Sequence, residues 1–302
     1  MKTDKQLTIK RIVIFCVLAF APMIIATPIL CIITGGPIFE SENAAVPLVL
    51  LYGMLGMCTP MMANFITRLI TKEGINDPYI SFSFRNGKWK YYLASVLVPL
   101  GYSLVSAILI VAIMFRGYAA DEIFEFDKFS SAPFMIIFML ASNASLLLSF
   151  FGEEYGWRGY LGPKLTEVMN EPLAIVVGGI IWGLWHAPLT CAGHNFGTDY
   201  PLFPFSGILM MCITCIILNA FLTLITNRTG SVMPASFAHM AHNSAGATIM
   251  LTYVMKEDAY HVFNQLDPIK LSLISYIPLT VTAIICFILL MKKNKAASEA
   301  AA

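Results

Sequence analysis

Charge is scarce in this sequence. Asp, Glu, Lys and Arg make up 12% of its 302 residues, where a soluble domain carries about 25%. That deficit excludes an ordinary water-facing globule, because too few polar side chains are present to cover one. Neither sign dominates. Nineteen Lys and Arg against eighteen Asp and Glu leave a net charge of +1, which speaks against a nucleic-acid partner, since phosphate binding needs a basic stripe. A disulfide framework is also missing, because the seven cysteines lie in or beside apolar stretches and read as small hydrophobes. Cys212 and Cys215 form a C-x-x-C, which reads as chance on an apolar helix, since a zinc or redox site needs further ligands nearby. There is no internal repeat of the kind that marks secondary transporters, and no H-E-x-x-H. A cleavable leader is not expected, because the first apolar stretch exceeds an h-region of about 7–15 residues. The alanine-rich stretch 296–302 is expected to be a disordered or appended tail.

What the sequence has is apolar length. Hydrophobic residues make up 58% of it. A spanning helix needs about 20 mostly apolar residues, and eight segments qualify: Ile12–Ile33, Val46–Ile70, Leu93–Phe115, Ala132–Phe151, Leu173–Cys191, Phe205–Thr226, Met233–Met255 and Leu271–Met291. The expected fold is therefore all-α, a polytopic transmembrane helical bundle of about eight spanning helices. It forms a single domain over 1–295. Threading the chain with its N-terminus in the cytosol puts fifteen of the nineteen Lys and Arg on the cytosolic side. Positive residues favour that side, so both termini are predicted cytosolic in a multi-pass protein of the cell membrane.

Ionisable and amide side chains within such spans are costly and functional by default. Three segments within 132–255 carry them. In Phe151-Gly-Glu-Glu-Tyr-Gly-Trp-Arg-Gly-Tyr-Leu161, two adjacent carboxylates point about 100° apart on a helix and cannot share one role. Glu154 and Arg158 are four apart, in the favourable orientation for an ion pair. Glu153 is left without a charge partner, which suits a general base. The bland alternative is a solvated helix end with an ordinary salt bridge. In the second segment, His186 follows Trp182 by four and precedes Pro188. A lone histidine in an apolar helix is often a packing residue, and it is also a proton carrier or metal ligand. In Phe237-Ala-His-Met-Ala-His-Asn-Ser-Ala245, His239 and Asn243 share a face, with His242 on a neighbouring line. Interhelical hydrogen bonding is the bland alternative there. Counting rise per residue places all three segments roughly 10–20 Å below the cytosolic surface, so one shared polar cavity would satisfy them together. The loop Gly193–Pro204, long and aromatic, either caps that cavity or packs as an ordinary connection.

At these residues the sequence resembles the CPBP family, the CAAX proteases and bacteriocin-processing enzymes also called Abi intramembrane proteases. The family pattern is E-E-x-x-x-R, F-x-x-x-H and H-x-x-x-N. Here Glu153-Glu154-Tyr-Gly-Trp-Arg158 matches the first motif, Trp182-Gly-Leu-Trp-His186 the second with Trp for Phe, and His239-Met-Ala-His-Asn243 the third. The resemblance covers roughly 132–255. It implies an intramembrane endopeptidase acting on a membrane-associated protein or peptide. Glu153 and His186 would activate a water, His239 and Asn243 would hold the oxyanion, and Glu154 and Arg158 would orient the site. His242 lies outside the motif and receives no role.

The family is described both as metalloproteases and as metal-free. Zinc is permitted, with Glu153, His186 and His239 as the three candidate ligands, but no cofactor is assigned. Asn243 favours the metal-free reading, because an amide is a poor zinc ligand and a good oxyanion donor. Two other classes compete. One is a non-catalytic membrane immunity or peptide-binding protein of the same fold, which has no need of a water-activating pair. The other is a proton-coupled transporter, against which the lack of repeats counts. The expected partners are the lipid bilayer and a peptide or membrane-protein substrate.

Overall fold

The computed structural model describes residues 2–41, 46–75 and 78–301, with side chains for 4–41, 47–75 and 79–292. Long apolar runs without water to satisfy their backbone must close their hydrogen bonds internally, and helices do so. The result is α1 (Lys2–Thr34), α2 (Val46–Ile70), α3 (Trp89–Met114), the short α4 (Ala120–Ile123), α5 (Phe126–Ala144) and α6 (Leu147–Gly156). There follow α7 (Gly162–Thr166), α8 (Glu171–Trp185), α9 (Ala187–Cys191), α10 (Phe205–Thr229), α11 (Met233–Ser244), α12 (Ala247–Val254), α13 (Tyr260–Asn264) and α14 (Pro268–Ala301). Among the described residues the only β-pairing is a single bridge between Phe124 and Met255. The backbone of α14 carries on into the expected tail, whose side chains and last residue lie outside the described residues.

The bundle is an all-α multi-pass membrane fold, but its count of unbroken spans is smaller than eight. Six helices are long and apolar enough to cross a bilayer, and the bent pair Phe126–Ala144 with Leu147–Thr166, turning through 68°, makes up to seven if it is one broken span rather than a re-entrant loop. The expected straight span Ala132–Phe151 therefore breaks in its middle. Ser142, Asn143 and Ser145 lie at the break. Ser145 Oγ donates to the Ser142 carbonyl at 2.8 Å, competing with the helical ladder as short polar side chains do. The expected span Met233–Met255 also divides, at Ala245–Gly246, where the Gly246 backbone is extended. The two breaks meet: Asn143 Nδ2 donates to Ser244 Oγ at 2.8 Å.

Burial follows position in the bundle. More than half of the spanning window of α8 and of α10 is buried, against 22% for α1 and α14. Large apolar side chains such as Ile32, Phe134 and Phe138 stay exposed on the outer helices, as a lipid-facing surface requires. Glycines four apart let the inner helices touch backbone to backbone, the small-residue packing of membrane bundles. A methyl group on Gly156 would lie 2.2 Å from Pro60 Cβ of α2, and one on Gly152 would lie 3.1 Å from Cys58 Cα. On α8, Gly179 and Gly183 would place theirs 2.5 Å from Ile216 Cα and 2.4 Å from Cys212 Cα of α10. Cys212 thus belongs to a helix contact, and the C-x-x-C shows no bridge, both thiols being free.

Candidate active site

The glycine faces dictate where the polar residues point. With Gly152 and Gly156 turned onto α2, the intervening Glu153 and Glu154 must face elsewhere, and both are buried. Directly after them the helix loosens into a π-helical stretch, Trp157–Leu161, that carries Arg158 inward. On α8, Gly179 and Gly183 meet α10, while Trp182 and His186 are buried beside the Glu pair. Pro188 lacks an N–H and cannot continue the ladder. The helix accordingly stops at Trp185, and His186 N bonds Gly183 O at 3.1 Å before α9 begins. His186 therefore stands at a corner of the chain.

The two carboxylates have different partners, as their angular separation requires. Glu154 Oε1 accepts from Arg158 Nη1 at 3.1 Å and from His239 Nδ1 at 2.9 Å. Arg158 also donates from Nε to Asn219 Oδ1 at 3.1 Å, and its guanidinium lies 4.0 Å from the Trp182 ring centroid. Glu153 takes no cation within salt-bridge distance among the described residues. Its Oε2 accepts the indole N–H of Trp182 at 2.9 Å. His186 Nδ1 lies 2.9 Å from the Trp182 carbonyl. A carbonyl only accepts, so Nδ1 carries the proton there and Nε2 is the nitrogen left for chemistry. The same reasoning gives His239 its Nδ1 proton, held by Glu154.

Glu153, His186, His239, His242 and Asn243 all line one cavity of about 570 Å³. Arg158 and Glu154 lie behind its wall. Asn243 is the exposed member of the set, whereas Glu153, His186 and His239 are buried. The cavity reaches the helix breaks through Asn143, Leu146, Gly246 and Thr248. It also runs to the ends of α1 and α8, where Phe39, His194, Asn195 and Phe196 close it. The Gly193–Pro204 loop is thus a wall of the cavity. It is pinned by Glu40, whose Oε1 accepts the Thr198 backbone N–H at 2.7 Å. Burial holds His194 down at about 4, so it is neutral near pH 7. A second pocket, lined by Tyr79, Trp157, Arg158, Asn170 and Asn227, lies on the other side of Trp182, which lines both.

The Lys- and Arg-rich end of the bundle is fastened by charge. Glu73, just beyond α2, meets Lys164 Nζ at 2.6 Å, Arg11 Nε at 3.3 Å and the Tyr160 hydroxyl at 3.0 Å. Burial pushes its carboxyl up, but Lys164, Tyr160 and Arg11 outweigh that and hold it below the ordinary value of 4.5. The cluster ties α1, α2 and the segment after the Glu pair together.

As a metal cage the site is a poor fit. Among the described residues no three His, Cys, Asp or Glu side chains converge as a metal ion requires. Glu153, His186 and His239 share the cavity without forming such a cage.

Residues 133–245, which carry all of these groups, match the family model of Type II CAAX prenyl endopeptidase Rce1-like proteins. The chain resembles the Rce1-like endopeptidases. A curated relative, the CAAX prenyl protease 2 of Methanococcus maripaludis, is 29% identical over 153 residues. The match takes in 50% of this chain and 55% of the relative, so the chain spans about half the length of the curated relative it matches. The Rce1-like segment ends at the α11–α12 break and leaves α1, α2, α3 and α14 outside it. Those helices supply packing partners: α2 backs the Glu pair, and Tyr102 of α3 hydrogen-bonds His242 Nδ1 at 2.7 Å. Sequence reasoning assigned no role to Asn219, Asn143 or the Trp182 indole. Asn219 and Asn143 are amides in otherwise apolar helices, a signal that polar cost in a membrane makes readable.

Proposed function

We propose that this chain is a CAAX-type intramembrane endopeptidase that hydrolyses a peptide bond by a water activated between Glu153 and His186. The observation that carries the reading is the division of the carboxylates. Glu154 is consumed by Arg158 and His239, while Glu153 faces the cavity with no cation on it. Glu153 takes a proton from water as the hydroxide adds to the scissile carbonyl. His186, with Nδ1–H fixed on Trp182 O, offers Nε2 as a second acceptor for that water. The oxyanion is held by Asn243 Nδ2 and by His239. To donate, His239 needs a proton on Nε2, with its Nδ1 held on Glu154 Oε1 at 2.9 Å. Each such donor contributes roughly 3–4 kcal/mol in other hydrolases. Glu153 then returns the proton to the leaving amine. No metal enters these steps.

The relative's name points to a substrate ending in Cys-a-a-X, a motif that is prenylated on its cysteine. The distribution of Lys and Arg supports a cytosolic position for both termini, which requires an even number of crossings. The test is comparison of membrane peptides from cells holding wild-type protein or Glu153→Ala, with a prenylated and an unprenylated C-terminal peptide assayed in parallel. Fragments present only with the wild type support the reading. Identical peptide profiles, with both synthetic peptides intact, contradict it.

A further inference from the structure

Among the groups around the Glu pair, one touches every functional side chain except Asn243 and Glu154. Trp182 gives its indole N–H to Glu153 Oε2 at 2.9 Å and its carbonyl to His186 Nδ1 at 2.9 Å. Its ring carries the Arg158 guanidinium at 4.0 Å and meets His239 nearly edge-on, with centroids 5.3 Å apart. It is 2% exposed. A buried indole needs a partner for its N–H, and one turn on, Trp185 finds neutral ones in the Ala19 carbonyl and the Thr59 hydroxyl. Trp182 instead gives its single donor to a carboxylate that no cation neutralises.

A carboxylate with one oxygen fixed has its plane and its free oxygen fixed too. We infer that Trp182 is a positioning residue for the general base: its N–H holds Glu153 Oε2 so that Oε1 alone faces the reacting water. The inference rests on the endopeptidase reading for its kinetic consequence, but not for the hydrogen bond. A phenylalanine at this place would keep the ring, the cation contact and the backbone carbonyl, and lose only the donor. The sequence comparison that treats Trp and Phe as equivalent aromatics at position 182 misses this difference.

Trp182→Phe is the direct test, with a prenylated Cys-a-a-X peptide as probe in detergent micelles. A hydrogen bond to a charged group is of a size to lower kcat roughly 10- to 100-fold, with KM unchanged and the melting temperature close to wild type. Replacing Trp182 with benzothienylalanine, which has sulfur where the indole has N–H, keeps the shape and should give the same loss. It also serves if the phenylalanine variant folds poorly. Infrared spectra read the bond without substrate. The Glu153 carboxylate band, identified by its disappearance in Glu153→Gln, should shift when the N–H is removed. Wild-type kcat in both variants, or a loss confined to KM, overturns the inference. If the wild type cleaves no peptide, the endopeptidase reading fails, and an unmoved carboxylate band then overturns the hydrogen bond as well.

Discussion

Replacing Glu154 by glutamine should destabilise the protein far more than the same change at Glu153. The reason is the number and charge of the donors each carboxylate serves. Glu154 Oε1 receives both Arg158 Nη1 and His239 Nδ1, in a place where the three side chains are 0–5% exposed. The glutamine carbonyl still accepts from one of them, but the guanidinium loses its paired charge inside the bundle. Breaking a buried pair on one side costs about 3–5 kcal/mol, against a total stability of about 5–15 kcal/mol for a typical protein. Glu153→Gln keeps an oxygen for the Trp182 N–H and orphans no cation, so its cost should stay near or below about 1 kcal/mol. Thermal melts of the purified variants in one detergent measure both. Glu154→Gln should melt well below wild type, and Glu154→Gln with Arg158→Met should recover part of the loss, because both charges are then gone. Glu153→Gln should melt like wild type and be inactive. An inert Glu154→Gln beside an unfolded Glu153→Gln would reverse the division of roles.

Three further outcomes follow from the packing and charge already described. Gly183→Ala places a methyl group 2.4 Å from Cys212 Cα, so α8 and α10 must separate. We expect a loss of about 1–3 kcal/mol in melts and reduced turnover, since His186 ends the same helix. The Glu73 cluster has a defined pH window. A carboxylate held below its ordinary value of 4.5 contributes stability above that pH and loses it as pH falls through the lower folded value. The melting temperatures of wild type and Glu73→Gln should therefore differ at pH 7 and draw together as the pH falls below 4.5. Dialysis against a strong chelator should leave cleavage unchanged, and activity restored only by stoichiometric zinc or cobalt would refute the metal-free steps.

Much of the site was legible in the sequence because polar residues in lipid are conspicuous. Glu153, His186, His239 and Asn243, found as separate motifs, line one cavity, and the Glu154–Arg158 pair forms at the predicted spacing. His239 on Glu154 was not foreseen, since spacing along one helix says nothing of the partner on another. The straight spans Ala132–Phe151 and Met233–Met255 were misjudged for a related reason. Mean hydropathy over a window does not register a break made by Ser142–Ser145 or by Ala245–Gly246. The signal that orders the site best was present but unread, in the glycines four apart at 152 and 156 and at 179 and 183. They fix which faces meet neighbouring backbones and so which faces remain for chemistry.

The central claim is that Glu153 activates a water to cut a peptide bond. It is tested most directly by incubating purified protein in nanodiscs with a prenylated Cys-a-a-X peptide in water enriched in oxygen-18, and weighing the products. The account predicts a released C-terminal fragment and one labelled oxygen in the new carboxylate of the other product, with neither formed by folded Glu153→Gln. Products that form equally with Glu153→Gln, or carry no label, would contradict it.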